Sequence, residues 1–303
     1  MKKPIFTGSA VAIVTPFLAP EAGSDQITGG VDFDALGVLI DEQLARGTDA
    51  IVVCATTGES PTLNDAEHKA CIEYAVKHVA GRAPVIAGTG SNDTAYGLSL
   101  TRHAQETGAD AALMITPYYN KTTQKGLITH YTYIADRTDI PIIIYNVPSR
   151  TGMGVTAETY LALSRHPHIN GIKEASGDFS LIASTRALCG DELNIWSGND
   201  DQTLPILALG GRGVISTSAN VIPEVMHGIC AKFFEGDIMA AQALQLDWYD
   251  LMHDLFIETN PIPVKTAMRL MGKPVGALRL PLDDMSEGNL AKLRATLAKH
   301  SLI

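Results

Sequence analysis

Residues 169–176 read INGIKEAS, a short apolar run that ends in a lysine and then turns polar. A continuous apolar run of this length is typical of a buried strand of a parallel sheet. A lysine at the end of such a strand is poorly solvated, so the pKa of its ammonium group should fall and free amine becomes available. A free amine attacks a ketone or an aldehyde to form an imine. Lys173 is therefore a candidate nucleophile, although most lysines after a strand are solvated surface groups.

Runs of the same kind recur along the whole chain. Each is followed by a polar or glycine-bearing turn and then by a helical pattern. Residues 64–80 show this pattern, with an N-cap at Asn64 or Asp65 and a stop at Gly81, and residues 94–107 repeat it up to Gly108. The apolar runs occupy residues 10–14, 50–53, 84–87, 111–115, 141–145, 169–173, 193–196 and 213–216.

Eight strand–helix units without a polar linker between them predict an α/β fold, a single (β/α)8 TIM barrel. Residues 237–257 and 286–299 follow the eighth run and have amphipathic helical patterns, and NPIP at 260–263 breaks the chain between helices. We expect a barrel over residues 1–225, with the catalytic site at the carboxyl ends of its strands. Residues 226–303 would finish the eighth helix and add a helical C-terminal extension.

Composition excludes several classes of function. A net charge of −10 argues against binding to nucleic acid or to an anionic membrane surface. No run of eighteen apolar residues occurs, so no membrane span is expected. The four cysteines are widely spaced, which fits reduced thiols in the cytoplasm better than disulfides or a zinc site. The expected location is therefore cytoplasmic.

A metal or nucleotide cofactor is not expected either. The nine histidines fall in predicted helices or beside them and form no cluster of metal ligands, which disfavours a metal-dependent aldolase. Gly88 and Gly90 lack the third glycine of a dinucleotide-binding fingerprint and are better interpreted as a turn.

Hydroxyl groups gather at the predicted carboxyl ends of the strands. Lys173 ends the sixth run and Tyr145 ends the fifth, and adjacent parallel strands bring these ends together. The second run is followed by TTGES at 56–60 and the fourth by PYYN at 117–120. Each motif alone is most often an ordinary turn or a packing platform. Around one buried lysine, they favour a site for imine chemistry, which needs proton donors and acceptors.

The strand ends and loops carry further motifs, which are TPF at 15–17, TTGES at 56–60, GTG at 88–90, PYYN at 117–120, YNVPSRTG at 145–152, GIKEA at 171–175, GVIS at 213–216 and NPIPVK at 260–265. Together they resemble the dihydrodipicolinate synthase family, which belongs with the pyruvate-dependent Schiff-base lyases that include N-acetylneuraminate lyase. The resemblance implies condensation of pyruvate with L-aspartate 4-semialdehyde to 4-hydroxy-tetrahydrodipicolinate, the committed step toward diaminopimelate and lysine. It implies no cofactor beyond the covalent pyruvate Schiff base on Lys173.

The resemblance also implies roles for individual residues. Lys173 would form the Schiff base, Tyr145 would donate and accept protons, and Thr56 with Tyr119 would relay them. Tyr119 would reach the active site of a neighbouring subunit in a homotetramer, a dimer of tight dimers.

Three further residues would bind the substrates. Thr57 and its backbone amide would hold the pyruvate carboxylate, and the backbone of Ile215 would contact pyruvate. Arg150 would pair with the carboxylate of the semialdehyde.

The chain departs from the family pattern at some positions. Ala55 stands where glycine is usual, and the first loop, residues 18–31, is longer than is typical. The lysine-inhibitor pocket of the family corresponds to Ser60, His68, Asn92 and Tyr118. Asp65 and Tyr96 replace a histidine and a glutamate that inhibited relatives often have. Without an acid to pair with the ammonium of the inhibitor, this site is expected to be vestigial, with weak or absent inhibition by lysine.

Two alternatives stay open. The first is a related pyruvate aldolase, such as N-acetylneuraminate lyase or a keto-deoxy-sugar-acid aldolase, but Arg150 and the threonine pair fit the synthase better. The second is a catalytically silent barrel that binds or regulates. The intact set of Lys173, Tyr145, Thr56 and Tyr119 argues against it.

Overall fold

Eight parallel strands close into a barrel in the computed structural model, which describes residues 2–24 and 28–303. Each strand pairs with its neighbours in chain order, and β8 pairs with β1 to close the sheet. The predicted (β/α)8 TIM barrel is therefore confirmed. The strands are β1 Gly8–Ala12, β2 Ala50–Val53, β3 Val85–Gly88, β4 Ala111–Ile115, β5 Ile142–Asn146, β6 Ile169–Glu174, β7 Asn194–Ser197 and β8 Gly213–Ser216.

All eight predicted runs coincide with strands, with bounds that differ by up to two residues. The β1 strand lies two residues earlier than predicted, because its pairing with β8 begins at Gly8. The predictions that β5 ends at Tyr145 and β6 at Lys173 were wrong by one residue. The ladder continues to the pair formed by Asn146 and Glu174.

Helices cover the outside of the barrel, and local capping sets their ends. The backbone amide of Glu67 donates to the Asn64 side chain at 2.9 Å, and the amide of Asn64 donates to the Glu67 carboxylate at 3.1 Å, which completes a capping box. The next helix ends at Gly108, whose φ of +93° suits a glycine. The helices up to β8 are α1 Phe33–Ala45, α2 Asp65–Val79, α3 Thr94–Thr107, α4 Gln124–Ala135, α5 Pro148–Thr151, α6 Ala157–Ser164, α7 Phe179–Cys189 and α8 Thr203–Ala208.

Most of the chain after β8 is helical. The eighth barrel helix is α9, Pro223–Phe234, and the extension contains α10 Ile238–Asp247, α11 Tyr249–Asp254, α12 Ile262–Leu270 and α13 Glu287–Lys299. The prediction of a single helix over residues 237–257 was wrong, because this segment forms two helices. It is divided at Trp248, whose backbone is not helical and whose ring stacks on His300 at 4.2 Å between centroids.

The structure describes both ends of the first loop, residues 18–31. Residues 25–27 of the predicted long loop lie outside the described residues. Its ends are paired, since the amide of Leu18 donates to the carbonyl of Gly30 at 2.9 Å. All four cysteines are buried and free. Within residues 2–24 and 28–303, every helix is too short or too polar to cross a membrane.

Candidate active site

Lys173 and Tyr145 lie side by side at the carboxyl ends of β6 and β5, where they are register partners. Both side chains are buried, with 4% and 7% of their surfaces exposed. The Lys173 Nζ atom lies 4.4 Å from the centroid of the Tyr145 ring. The stem of the lysine packs closely on Gly198, where a Cβ atom would stand 3.1 Å from the Lys173 Cγ atom. The lysine is therefore held in one place beside the phenol.

Burial gives the Lys173 amine its reactivity. It lowers the pKa of Lys173 from its ordinary value of 10.5 to about 8, against an opposing effect of the Asp200 carboxylate and with a smaller contribution from the positive charge of Arg150. At pH 7, roughly one molecule in ten then carries the free amine. An ordinary lysine, with a pKa of 10.5, would carry several hundred times less free amine at this pH.

Tyr145 is suited to donating protons. Burial raises the pKa of its phenol to about 12, while the charge of Arg150 and a hydrogen bond with Thr56 act in the opposite direction. The phenol therefore stays protonated at neutral pH and needs a partner to take up and return its proton. Thr56, in the turn after β2, hydrogen-bonds to this phenol.

A cavity of about 500 Å³ opens at this end of the barrel, and it brings three of the predicted catalytic and binding residues together: Thr56, Tyr145 and Arg150. Lys173, Thr57 and Ile215 are buried and do not line it. The same cavity is lined by the four residues of the predicted inhibitor pocket, which are Ser60, His68, Asn92 and Tyr118.

The turn after β2 is fixed by hydrogen bonds on several sides. Ala55 has an extended backbone (φ −89°, ψ −171°), so alanine fits there without strain. The Thr15 hydroxyl donates to the carbonyl of Gly58 at 2.7 Å. The Thr57 Oγ1 atom lies 3.2 Å from the Thr217 hydroxyl and accepts a hydrogen bond from the Asn260 amide at 2.9 Å.

A buried ion pair anchors the same turn to the C-terminal extension. The Lys265 Nζ atom lies 2.8 Å from the Glu59 carboxylate, and both side chains are fully buried. Lys265 also donates to the carbonyls of Thr15 and Ala277, at 3.0 and 2.9 Å. Glu59 has a left-handed backbone, with φ of +54°, and its second oxygen accepts from the backbone amide of Arg279 at 3.0 Å.

Arg150 and Tyr119 lie closer to the surface. Arg150 is in α5, directly after β5, and its Nη2 atom donates to the carbonyl of Asn260 at 3.2 Å. Tyr119 is 92% exposed, has a left-handed backbone (φ +66°) and does not line the cavity. Within this chain, the structure therefore does not bring Tyr119 to the other predicted catalytic residues.

Two residues at or beside the predicted inhibitor pocket already have partners of their own. His68 is buried, its Nε2 atom lies 2.7 Å from the carbonyl of Gly88, and burial lowers the pKa of its imidazole. Asp65 pairs with Lys69 at 2.8 Å and hydrogen-bonds to Tyr96, and these contacts hold the pKa of its carboxyl group below the ordinary value.

Three residues of the site were not singled out from the sequence. Asp200 and Thr217 follow β7 and β8, so the rule that placed the other residues at strand ends also points to them. Both Thr217 and Ser218 donate to the Asp200 carboxylate, whose pKa is raised by burial. Asn260 lies outside the barrel, and strand ends give no signal for it. Among the described residues, no group of three or more histidine, cysteine, aspartate or glutamate side chains is arranged to hold a metal ion.

Comparison with known proteins gives one consistent result. The model of the dihydrodipicolinate synthetase family matches residues 5–300. A 4-hydroxy-tetrahydrodipicolinate synthase from Thermoanaerobacter pseudethanolicus is 53% identical over 301 residues, which are 99% of this chain and 98% of the relative. The structure of dihydrodipicolinate synthase from Aquifex aeolicus has a TM-score of 0.93 at 47% identity and covers 98% of this chain and 99% of that one.

A more distant structure has the same fold. The enzyme from Cyanidioschyzon merolae, solved with lysine bound, has a TM-score of 0.93 at 36% identity and covers 99% of this chain and all of that one. The match extends over nearly the whole chain in every case. The chain belongs to the dihydrodipicolinate synthetase family.

Proposed function

We propose that the chain is a lyase that condenses pyruvate with L-aspartate 4-semialdehyde to 4-hydroxy-tetrahydrodipicolinate, the committed step of diaminopimelate and lysine biosynthesis. The observation that carries this proposal is the buried amine of Lys173, 4.4 Å from the centre of the Tyr145 ring. The names of the relatives, which match over 98% or more of their length, support the same reaction.

Lys173 starts the reaction as a nucleophile. Its free amine attacks the ketone carbon of pyruvate, and loss of water gives a protonated imine. The imine draws electrons from the bond between C3 and a hydrogen, so a C3 proton leaves and an enamine forms. The enamine then attacks the aldehyde carbon of the second substrate, and the aldehyde oxygen takes up a proton to become the hydroxyl group of the product. The amino group of the second substrate then attacks the imine carbon and displaces Lys173, which closes the ring and returns the lysine as free amine. The covalent pyruvate takes the place of a cofactor.

Tyr145 and Thr56 move the protons of these steps. The phenol of Tyr145, with its pKa raised to about 12, donates a proton to the leaving hydroxyl and recovers one through Thr56. Tyr119 extends this relay from a neighbouring subunit. Its 92% exposure and left-handed backbone support a side chain that leaves its own subunit. The proposed assembly is a homotetramer, a dimer of tight dimers.

The substrates are held by their carboxylates. Thr57 and its backbone amide bind the carboxylate of pyruvate, and the backbone of Ile215 contacts the same molecule. Arg150 lines the cavity and pairs with the carboxylate of the semialdehyde through its planar fork. The cytoplasmic location expected from the cysteines stays a prediction.

Product analysis tests the reaction. The enzyme would be incubated with pyruvate and L-aspartate 4-semialdehyde, and in parallel with N-acetylmannosamine and simple sugar aldehydes. We expect efficient condensation with the semialdehyde alone. Preferred use of a sugar aldehyde would favour a related pyruvate aldolase instead.

Borohydride trapping tests the mechanism. We expect reduction in the presence of pyruvate to leave a stable adduct on Lys173, located by mass spectrometry. Lys173→Ala should abolish both adduct and turnover, whereas Lys77→Ala, at a lysine 77% exposed, should preserve them. Near-normal turnover of Lys173→Ala, or no adduct on Lys173, would contradict the Schiff-base mechanism, and a barrel without either activity would favour a binding role.

A further inference from the structure

Asn260 is a buried residue of the C-terminal extension that contacts the binding groups proposed for both substrates. Only 5% of its surface is exposed. Its side-chain amide donates to the Thr57 Oγ1 atom at 2.9 Å, and its backbone carbonyl accepts from the Arg150 Nη2 atom at 3.2 Å. Asn260 thus contacts both Thr57, proposed to bind the pyruvate carboxylate, and Arg150, proposed to bind the semialdehyde carboxylate.

The contact with Thr57 has a direction. An amide nitrogen can only donate, so Asn260 occupies a lone pair of the Thr57 hydroxyl oxygen. The proton of that hydroxyl must then point elsewhere, toward Thr217 at 3.2 Å or toward a bound carboxylate. A hydroxyl that serves as a donor is what a carboxylate needs, because an ionised carboxylate only accepts.

The contact with Arg150 limits the freedom of a long side chain. Arg150 is on a four-residue helix, and one of its N–H groups is used by the carbonyl of Asn260. The remaining N–H groups of the guanidinium stay available for a planar, two-point contact with a carboxylate.

The side chain of Asn260 is not placed to maximise stability. In the part of the chain that the structure describes, its Oδ1 atom is buried without a hydrogen-bond partner. Such an atom loses its hydration and gains nothing in return. An asparagine is thus kept at a buried position where one half of its amide is unsatisfied, and the satisfied half is the donor to Thr57.

We propose that Asn260 is a positioning residue that orients the carboxylate-binding groups for both substrates, the Thr57 hydroxyl through its side chain and the Arg150 guanidinium through its backbone. This inference rests on the proposed function of the site. It makes the C-terminal extension, and not the barrel alone, responsible for substrate affinity.

Two substitutions separate orientation from packing. Asn260→Asp keeps the shape of the side chain but replaces the donor with an acceptor, which turns the Thr57 proton toward itself and adds a negative charge near both carboxylates. Asn260→Ala removes the donor and leaves a small cavity. If the residue orients Thr57, Asn260→Ala should raise the KM for pyruvate about tenfold. Asn260→Asp should raise it further, and kcat should change less than KM in both variants.

The opposite ranking would overturn the proposal. For a residue that only packs, changes in KM in both variants would follow the loss of thermal stability. Asn289→Ala serves as the matched control, because the Asn289 amide donates to Glu258 at 2.7 Å elsewhere in the extension. Its KM values should equal those of the wild type.

A double-mutant cycle with Thr57→Val completes the test. With the Thr57 hydroxyl absent, Asn260→Ala should have no further effect on the KM for pyruvate, so the two changes should be strongly non-additive. Additive effects would contradict the proposal. Borohydride adducts on Lys173 are measured for every variant at saturating pyruvate. A wild type without an adduct would refute the proposed function, whereas an adduct with unchanged KM in Asn260→Ala and Asn260→Asp would refute this inference only.

Discussion

Two charges of opposite sign act on the Lys173 ammonium group from different loops. After burial, the strongest effects on its pKa come from Asp200, which raises it, and from Arg150, which lowers it. Asp200 follows β7 and Arg150 follows β5, so charged residues after the two strands that flank β6 act on Lys173, the proposed nucleophile. The reactivity of Lys173 is therefore a property of three neighbouring strand ends.

The rate of adduct formation on Lys173 should depend on the opposing charges of Asp200 and Arg150. Because only the free amine attacks, the rate of borohydride-trapped adduct formation with pyruvate should rise with pH, with a midpoint at about pH 8, and level off only above that midpoint. Arg150→Ala removes a positive charge, which favours the ammonium form, so the midpoint should move to higher pH. Arg150→Lys keeps the charge and should leave the midpoint in place. A midpoint near pH 10.5 in the wild type would show that Lys173 is not perturbed.

Inhibition by L-lysine should be weak or absent. The resemblance assigns the inhibitor pocket a histidine and a glutamate where this chain has Asp65 and Tyr96, and here Asp65 is already paired with Lys69 at 2.8 Å. His68 is likewise held, by the carbonyl of Gly88. A steady-state assay with both substrates near their KM values measures the inhibition constant, and a micromolar value would contradict this prediction.

The turn after β2 is held between the barrel and the C-terminal extension. Glu59 belongs to the turn and Lys265 to α12, and their ion pair is fully buried. A buried charge that loses its partner costs much more than an exposed one, because no water replaces the partner. This ion pair therefore connects α12 to the turn that carries Thr56 and Thr57.

Breaking this ion pair should lower the free energy of unfolding markedly. Lys265→Met leaves the Glu59 carboxylate buried and unpaired, with an expected loss of about 3–5 kcal/mol in urea unfolding. Lys273→Met serves as the control, because its pair with Glu42 at 2.7 Å is partly exposed and should contribute about 1 kcal/mol or less. The double substitution Glu59→Gln with Lys265→Met should recover part of the loss. Equal effects of the two single lysine substitutions would contradict the role of burial.

The ends of helices were predictable from the sequence where the residues that set them lie close by in the chain. Asn64 was one of the two N-caps considered for α2, and Gly108 was predicted to end α3; both residues lie next to the helices they limit. The part of Glu67 in the capping box was not predicted. The division at Trp248 was missed, because it accompanies a ring contact with His300, which is distant in the sequence. Asn260 was missed as a site residue for the same reason, since its partner Thr57 is 203 positions away.

Eight apolar runs sufficed to predict a closed barrel, because each run needs helices on its outer face and neighbours on both edges. The C-terminal extension contacts the barrel through individual side chains, and the spacing of apolar residues in the sequence does not reveal these contacts. We propose that residues 1–225 and 226–303 fold as one unit. This is supported by the contacts of Asn260, Lys265 and Arg279 with the loops after β1 and β2.

Subunit complementation tests the role of Tyr119 in a neighbouring active site. Tyr119→Phe and Lys173→Ala should each lower turnover strongly as pure proteins. After dissociation and reassociation of a mixture, some active sites should combine an intact Lys173 with the Tyr119 of another subunit, so activity should partly return. Tyr133→Phe, at a tyrosine that is 43% exposed, should keep full activity as a control. Activity of the mixture no greater than the sum of its parts would place Tyr119 outside the neighbouring site.

The hydrogen bond between Thr57 and Asn260 also has a consequence for how the protein is made. The 203 positions between them take about 10–40 s to translate at about 5–20 residues per second. During that time the emerging chain already contains the second strand and its threonine turn, but neither the amide of Asn260 nor the ammonium of Lys265 exists to fix that turn. Binding competence should therefore appear late in synthesis, after the last helices have left the ribosome. Nascent chains stalled before residue 260 should lack it.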